Sequence, residues 1–161
     1  MIRVGLGYDV HPFVAAPDAA RPLVLAGVTL DGPALAGHSD ADAVCHAVAD
    51  ALLGPAGLPD LGALFPASDD RYRDASSMAL LRDVVARVAG EGWSVVNVDV
   101  VIAAEQPRLA PHLEAMVANL TDVLGGAFVS VKPKRGEGIG AVGRVEGIAC
   151  WAVALLERAD A

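Results

Sequence analysis

The chain has 161 residues, 12 Lys+Arg against 20 Asp+Glu, and a formal net charge of −8, a length that suits one domain with a full core. With 54% hydrophobic and 20% charged residues, intrinsic disorder is excluded, and the acidic balance argues against general nucleic-acid binding. The longest uncharged run, Gly147 to Leu156, is ten residues, about half of a bilayer span; with Asp9 too early for a secretory leader, the expectation is a cytoplasmic protein without a membrane segment.

In chain order, residues 2–14 read as an edge-tolerant strand interrupted by Gly5, Gly7 and Pro12. Leu23 to Leu30 can form a hairpin arm closed by Asp31-Gly32. A helix is expected from Ser39 or Asp40 to about Leu53, capped by a short polar side chain and stopped by Gly54-Pro55. A turn-rich stretch at 57–62 precedes Phe65-Pro66, and Ser76 to about Ala89 forms a second helix. The Val/Ile-rich segment 94–104 reads as a buried strand, and Pro107 to Leu124 as a third helix. Two last strands, near 127–132 and 146–157, enclose a Gly/Lys/Arg loop. Strands alternating with helices give an α/β or α+β domain, a mixed β-sheet with helices on one face.

Cys45 and Cys150 are too few for a disulfide framework and read as buried thiols in a reducing compartment. A mean hydropathy of +0.46 is high for a monomer of this size and points to an oligomer, because apolar surface beyond one small core usually faces another subunit. The only lysines, Lys132 and Lys134, join Arg135 and Arg144 in one basic segment, whereas His11, His38 and His46 lie in the first third of the chain. That division suggests a site handling a phosphate together with a metal.

Asp9 and His11 sit at i and i+2 of a strand and leave the same face. His46 is expected mid-helix, with Asp42 and Asp50 one turn away on either side. One Asp and two His make three borderline ligands, the number used by zinc sites that keep a position open; the competing reading is a solvated Asp and two ordinary histidines. His38-Ser39-Asp40 precedes the first helix, where free N–H groups can meet a phosphate, or where Ser39 or Asp40 simply caps. The Asp60 turn offers a carboxylate to a polyol, or is an ordinary turn. Cys45 should face the core, about 100° around the helix from His46. The loop from Lys132 to Gly140 can wrap a diphosphate, with Glu137 reaching a bridging Mg²⁺, or is a solvated charged loop.

Taken together, Gly-Tyr-Asp-Val-His at 7–11, Gly-His-Ser-Asp-Ala-Asp at 37–42 with His46, Asp50 to Gly54, Leu58-Pro-Asp-Leu-Gly62 with Phe65-Pro66, Asn97-Val-Asp99, Gln106-Pro-Arg108, Pro111-His112 and Gly143 to Ala149 resemble one family over nearly the whole chain. It is the 2-C-methyl-D-erythritol 2,4-cyclodiphosphate synthase family. The resemblance implies a homotrimer with active sites between subunits. It implies zinc on Asp9, His11 and His46, and a second divalent ion, Mg²⁺ or Mn²⁺, held partly by Glu137. The implied substrate is a CDP-linked methylerythritol 2-phosphate, whose 2-phosphate attacks the β-phosphorus and expels CMP without water. The resemblance makes His38 a transition-state stabiliser and places Arg135 where the family has a stabilising threonine. It extends substrate binding over Asp9, His11, His38 and Ser39, then Asp60, Leu61, Gly62, Phe65 and Asp69. Segment 104–110 with Arg108 maps around the cytidine, and Lys134, Arg135, Glu137, Ala141 and Arg144 complete the set. Asp50 is expected to orient a ligand histidine.

This chain also departs from the family. Lys134-Arg135-Gly136-Glu137 stands where the family usually has Thr-Thr-Thr-Glu, and Phe65-Pro66-Ala67-Ser68-Asp69 stands for Phe-Pro-Asp-Thr-Asp. Ala141 replaces a phenylalanine near the subunit axis, and Val145 a glycine. Two other readings share these residues: a zinc phosphohydrolase on the same scaffold, and a non-catalytic trimer that binds metal or nucleotide.

Overall fold

The computed structural model describes residues 1–15 and 21–159. Strand β1 (Ile2–Pro12) pairs antiparallel with β6 (Gly147–Glu157), which pairs antiparallel with β4 (Ser94–Ala103), and β4 runs parallel to β5 (Phe128–Lys134). The sheet order is β1-β6-β4-β5. Because β1 and β4 both oppose β6, the carboxyl ends of β1, β4 and β5 reach the same edge of the sheet.

Period-two alternation decides what covers the sheet. Ile148, Cys150, Ala152, Ala154 and Leu156 of β6 point into the core, together with Val98, Val100 and Ile102 of β4. Helix α1 (Ala43–Ala56) lies on that face against β1 and β6, and α4 (Leu113–Val123) against β5. Helix α3 (Ser77–Gly90) packs outside α1. The mixed sheet with helices on one face is as expected; the other face is open.

Several boundaries differ from expectation, each for a physical reason. The glycines of β1 do not weaken the strand but let α1 press onto it. A Cβ on Gly7 would lie 1.9 Å from the Ala47 carbonyl oxygen, and one on Gly5 2.0 Å from that of Ala51. Helix α1 starts at Ala43, capped by Asp42 rather than Ser39 or Asp40, because Ala41 adopts φ 58 and the Asp42 carboxylate takes the N–H groups of Val44 and Cys45. It runs through Gly54-Pro55 to a left-handed Gly57 cap. A proline so near the end removes one hydrogen bond, that to Ala51, whose oxygen instead faces the bare backbone of Gly5.

The hairpin of β2 (Leu23–Leu25) and β3 (Val28–Leu30) turns at Ala26-Gly27, both at positive φ, not at Asp31-Gly32. Asp60 caps a short helix, α2 (Leu61–Leu64), where only a turn was expected. Residues 104–109 stay non-helical, with a cis Gln106–Pro107 peptide, so the third helix starts at a 3₁₀ turn at Ala110–His112. A last short helix, α5 (Gly140–Gly143), follows the basic loop.

Candidate metal centre and flanking clefts

Asp9 and His11 lie at the end of β1 on the face that α1 covers, and the Gly7–Ala47 contact brings the neighbouring His46 over them. One Asp9 carboxylate oxygen, Oδ2, lies 2.9 Å from His11 Nε2 and 3.0 Å from His46 Nδ1, and the two ring nitrogens are 3.2 Å apart. His46 belongs to the first turn of α1 rather than its middle, since Asp42 is the cap.

The remaining ring nitrogens are held from behind. His11 Nδ1 donates to the Ala36 carbonyl at 2.7 Å. His46 Nε2 meets Ser77 Oγ at 2.9 Å and Ser39 Oγ at 3.3 Å, and Ser77 in turn donates to Asp40. With the outer nitrogens so committed, the inward ones, His11 Nε2 and His46 Nδ1, are left to meet Asp9 or a bound ion. Burial alone would raise the Asp9 carboxyl, but hydrogen bonds and charge from His11 and His46 outweigh it and hold the group well below the usual carboxylate range. Burial likewise lowers His11, yet Asp9 and the Ala36 carbonyl raise it above the ordinary histidine value. Three convergent ligand atoms, one carboxylate oxygen and two imidazole nitrogens, suit a divalent ion.

Asp50 does not orient His46. Its carboxylate accepts the Leu61 N–H at 2.8 Å, and Ser77 with Asp40 fills the expected position. Of the two readings of the start of α1, capping prevails over a phosphate on free N–H groups, with the Asp42 carboxylate as the cap. Completely buried, Asp42 binds the N–H groups of Ala26, Gly27, Val44 and Cys45. Cys45 faces the core as expected, its Sγ 3.2 Å from Asp42 and 3.3 Å from Met78 Sδ. Burial pushes the thiols of Cys45 and Cys150 well up.

A cleft of about 300 Å³ opens over the three donors, bounded by His38, Ser39, Leu61, Gly62 and Phe65. Tyr72, edge-on to Phe65, also lines it. Asp60 and Asp69 are not among its lining residues. Asp60 accepts Ala63 N–H, and Asp69 binds Arg71 while its carbonyl lies 3.1 Å from His38 Nε2.

A larger cleft of about 670 Å³ lies where β4 and β5 end, lined by residues 104–110 with Pro133, Lys134 and Arg135. Arg108, Lys134 and Arg135 make it basic. The Arg135 guanidinium pairs with Glu105, whose second oxygen accepts Gly136 N–H at 3.0 Å. Arg135 holds the Glu105 carboxyl below its ordinary range. Glu137, Ala141 and Arg144 line neither cleft. Glu137 is exposed at φ 51, and Arg144 pairs with Glu146.

Ser77 and Glu105 were not foreseen. Ser77 is an unremarkable first-turn serine in sequence, whereas Glu105, inside the 104–110 segment, differs only by its charge.

The YgbB family model matches residues 2–157. The chain belongs to the YgbB family. It is 52% identical to the 2-C-methyl-D-erythritol 2,4-cyclodiphosphate synthase of Bordetella petrii, covering 98% of this chain and 97% of that protein. Identity to the synthase of Rubrobacter xylanophilus is 54%, over 98% and 96%. Bifunctional IspD/IspF enzymes also match, such as that of Anaeromyxobacter dehalogenans, of which the chain spans 40%. Among solved structures, the bifunctional IspDF of Campylobacter jejuni superposes with a TM-score of 0.91 at 36% identity, covering 99% of this chain and 43% of that one. The CDP complex of Plasmodium falciparum IspF gives 0.84 at 30% identity, covering 99% and 97%. YgbB membership agrees with the resemblance read from the motifs.

Proposed function

We propose that this YgbB chain converts 4-diphosphocytidyl-2-C-methyl-D-erythritol 2-phosphate to 2-C-methyl-D-erythritol 2,4-cyclodiphosphate and CMP, in the non-mevalonate isoprenoid route. The observation that carries the reading is the Asp9–His11–His46 cluster, its lone pairs aimed into a cleft walled by His38 and Ser39. In the reaction an oxygen of the 2-phosphate bonds to the β-phosphorus as the bond to CMP breaks, and CMP leaves with the electron pair. Two anions must meet, so positioning and charge neutralisation supply most of the catalysis.

Asp9, His11 and His46 hold zinc in this reading; when bound, it withdraws charge from a phosphate oxygen and fixes its orientation. His38 and Ser39 receive the phosphate, with His38 positioned by the Asp69 carbonyl. Asp60, Leu61, Gly62, Phe65 and Asp69 take the erythritol end. Arg108, Lys134 and Arg135 line the basic cleft for the nucleotide, a reading supported by a solved relative, IspF of Plasmodium falciparum, being a CDP complex. Glu137 is the candidate for the second ion, Mg²⁺ or Mn²⁺, with Ala141 and Arg144 flanking the substrate loop.

The chain works as a homotrimer in the cytoplasm. No helix among the described residues is long and apolar enough to cross a membrane. The open sheet face carries Val4, Leu6, Tyr8, Val10, Trp151 and Val153, each at least 39% exposed, a contiguous apolar surface that suits a subunit interface.

Phosphorus NMR of the protein with that substrate and Mg²⁺ tests the reading. Paired doublets of a cyclic diphosphate should grow with the CMP signal. CMP with a linear product would make the protein a hydrolase, and an unchanged spectrum from metal-loaded protein a non-catalytic binder. His46→Ala should lose metal and turnover together; stoichiometric zinc in that variant would show the ligand set to be wrong.

A further inference from the structure

The segment Ala36–Ser39 carries the two residues that face the phosphate, and its four carbonyl groups are tied down by three donors, an imidazole, a backbone N–H and one guanidinium. Ala36 O accepts from the ring of His11 at 2.7 Å. His38 O accepts the Asp74 N–H at 2.9 Å. The carbonyls of Gly37 and Ser39 both go to one side chain: Arg21 donates Nη1 to Gly37 O at 3.1 Å and Nη2 to Ser39 O at 2.5 Å. No other donor reaches these two oxygens among the described residues. Ser39 also touches the ligand His46 through its hydroxyl. Orientation of this segment therefore couples the cleft wall to the metal donors.

We propose that Arg21 is a positioning residue for the cyclisation, a role that rests on the function above. Its planar guanidinium bridges alternate carbonyls and so fixes the peptide planes before His38 and after Ser39, while the Asp74 N–H holds the plane between them. With both oxygens drawn toward Arg21, the backbone between them cannot rotate, and the His38 ring keeps its place beside Asp69. A lysine cannot copy this, because a single ammonium lacks the rigid two-pronged donor geometry. The loop needs such an external clamp. Gly37 provides no side chain for packing, and a Cβ there would crowd Ala41 at 2.8 Å and His11 at 3.2 Å.

The test compares wild type, Arg21→Lys and Arg21→Ala by metal content, steady-state kinetics and amide ¹⁵N relaxation, all on metal-loaded protein. Arg21 touches none of the metal donors, so Arg21→Ala should keep wild-type metal content and nearly unchanged KM. Its kcat should fall tenfold to a hundredfold, the scale of losing about an ångström of alignment. Arg21→Lys should fall in between, and millimolar guanidinium ion should partly restore the alanine variant. Order parameters at Gly37, His38 and Ser39 should drop from the rigid range toward about 0.6. A kcat within twofold of wild type, or loss of metal in parallel with kcat, overturns the role. Wild type that makes no cyclic product brings down the functional reading instead. Relaxation then still decides the clamp: unchanged order at residues 37–39 in Arg21→Ala refutes it.

Discussion

At the scale of single residues, charge pairing makes the strongest commitments. In metal-free protein, Asp9 is held low, so its contribution to stability is present above the unfolded carboxylate value and lost on strong acidification. His11 is raised, so its contribution is complete below about pH 6.5 and disappears as pH climbs through the folded value. Chelator-treated protein should therefore unfold at lower denaturant at pH 8 than at pH 6. Metal-loaded protein should show the opposite trend, because binding requires neutral His11 and is favoured as pH rises; parallel trends in the two forms would refute the cluster as the binding site. In the second cleft, Arg135→Thr restores the usual family residue but strips Glu105 of its cation. In the proposed reading the bare carboxylate then faces the nucleotide phosphates, and KM should rise about tenfold. Adding Glu105→Gln should recover most of the loss. A rise in turnover in the single variant would instead mark Arg135 as a defect the protein tolerates.

At the scale of elements, the contact between β1 and α1 organises the metal centre. Gly7→Ala places a methyl into the Ala47 carbonyl, which should cost about 3 kcal/mol and reduce metal affinity, since His46 follows the helix as it shifts. Denaturant melts and metal titration of that variant check both; unchanged metal affinity would separate packing from the site. This contact also marks the limit of what pattern reading could see. The Val/Ile-rich run of β4 and the Asp9-x-His11 spacing are local features, and they pointed to that strand and to two candidate metal donors. Gly5 and Gly7 read as interruptions because their purpose lies in a helix forty residues away. Pro55 read as a stop because the compensating approach of Gly5 is invisible along the chain. Ser77, Arg21 and Glu105 were missed for the same reason: each meets its partner only through tertiary packing. The Asp42 cap lay beyond the expected Ser39 or Asp40, and the positive φ of Ala41 is what moves the helix start there.

At the scale of the whole molecule, the two sheet faces have opposite fates. Helices bury one face, while Leu6 and Val153 stand directly opposed on the other, 69% and 43% exposed, beside the tilted Tyr8–Trp151 ring pair. In the proposed trimer this face is the interface, so a carboxylate placed there must be desolvated in every subunit, at several kcal/mol each. Leu6→Asp changes no core contact, and the isolated fold should survive it. Light scattering should then find a 16.4 kDa species in place of the oligomer. Metal content should be retained, because Asp9, His11 and His46 all come from one chain, yet turnover should vanish if neighbouring subunits complete each site. A monomeric variant with full activity would show that one chain suffices, and an undisturbed oligomer would move the interface to another surface.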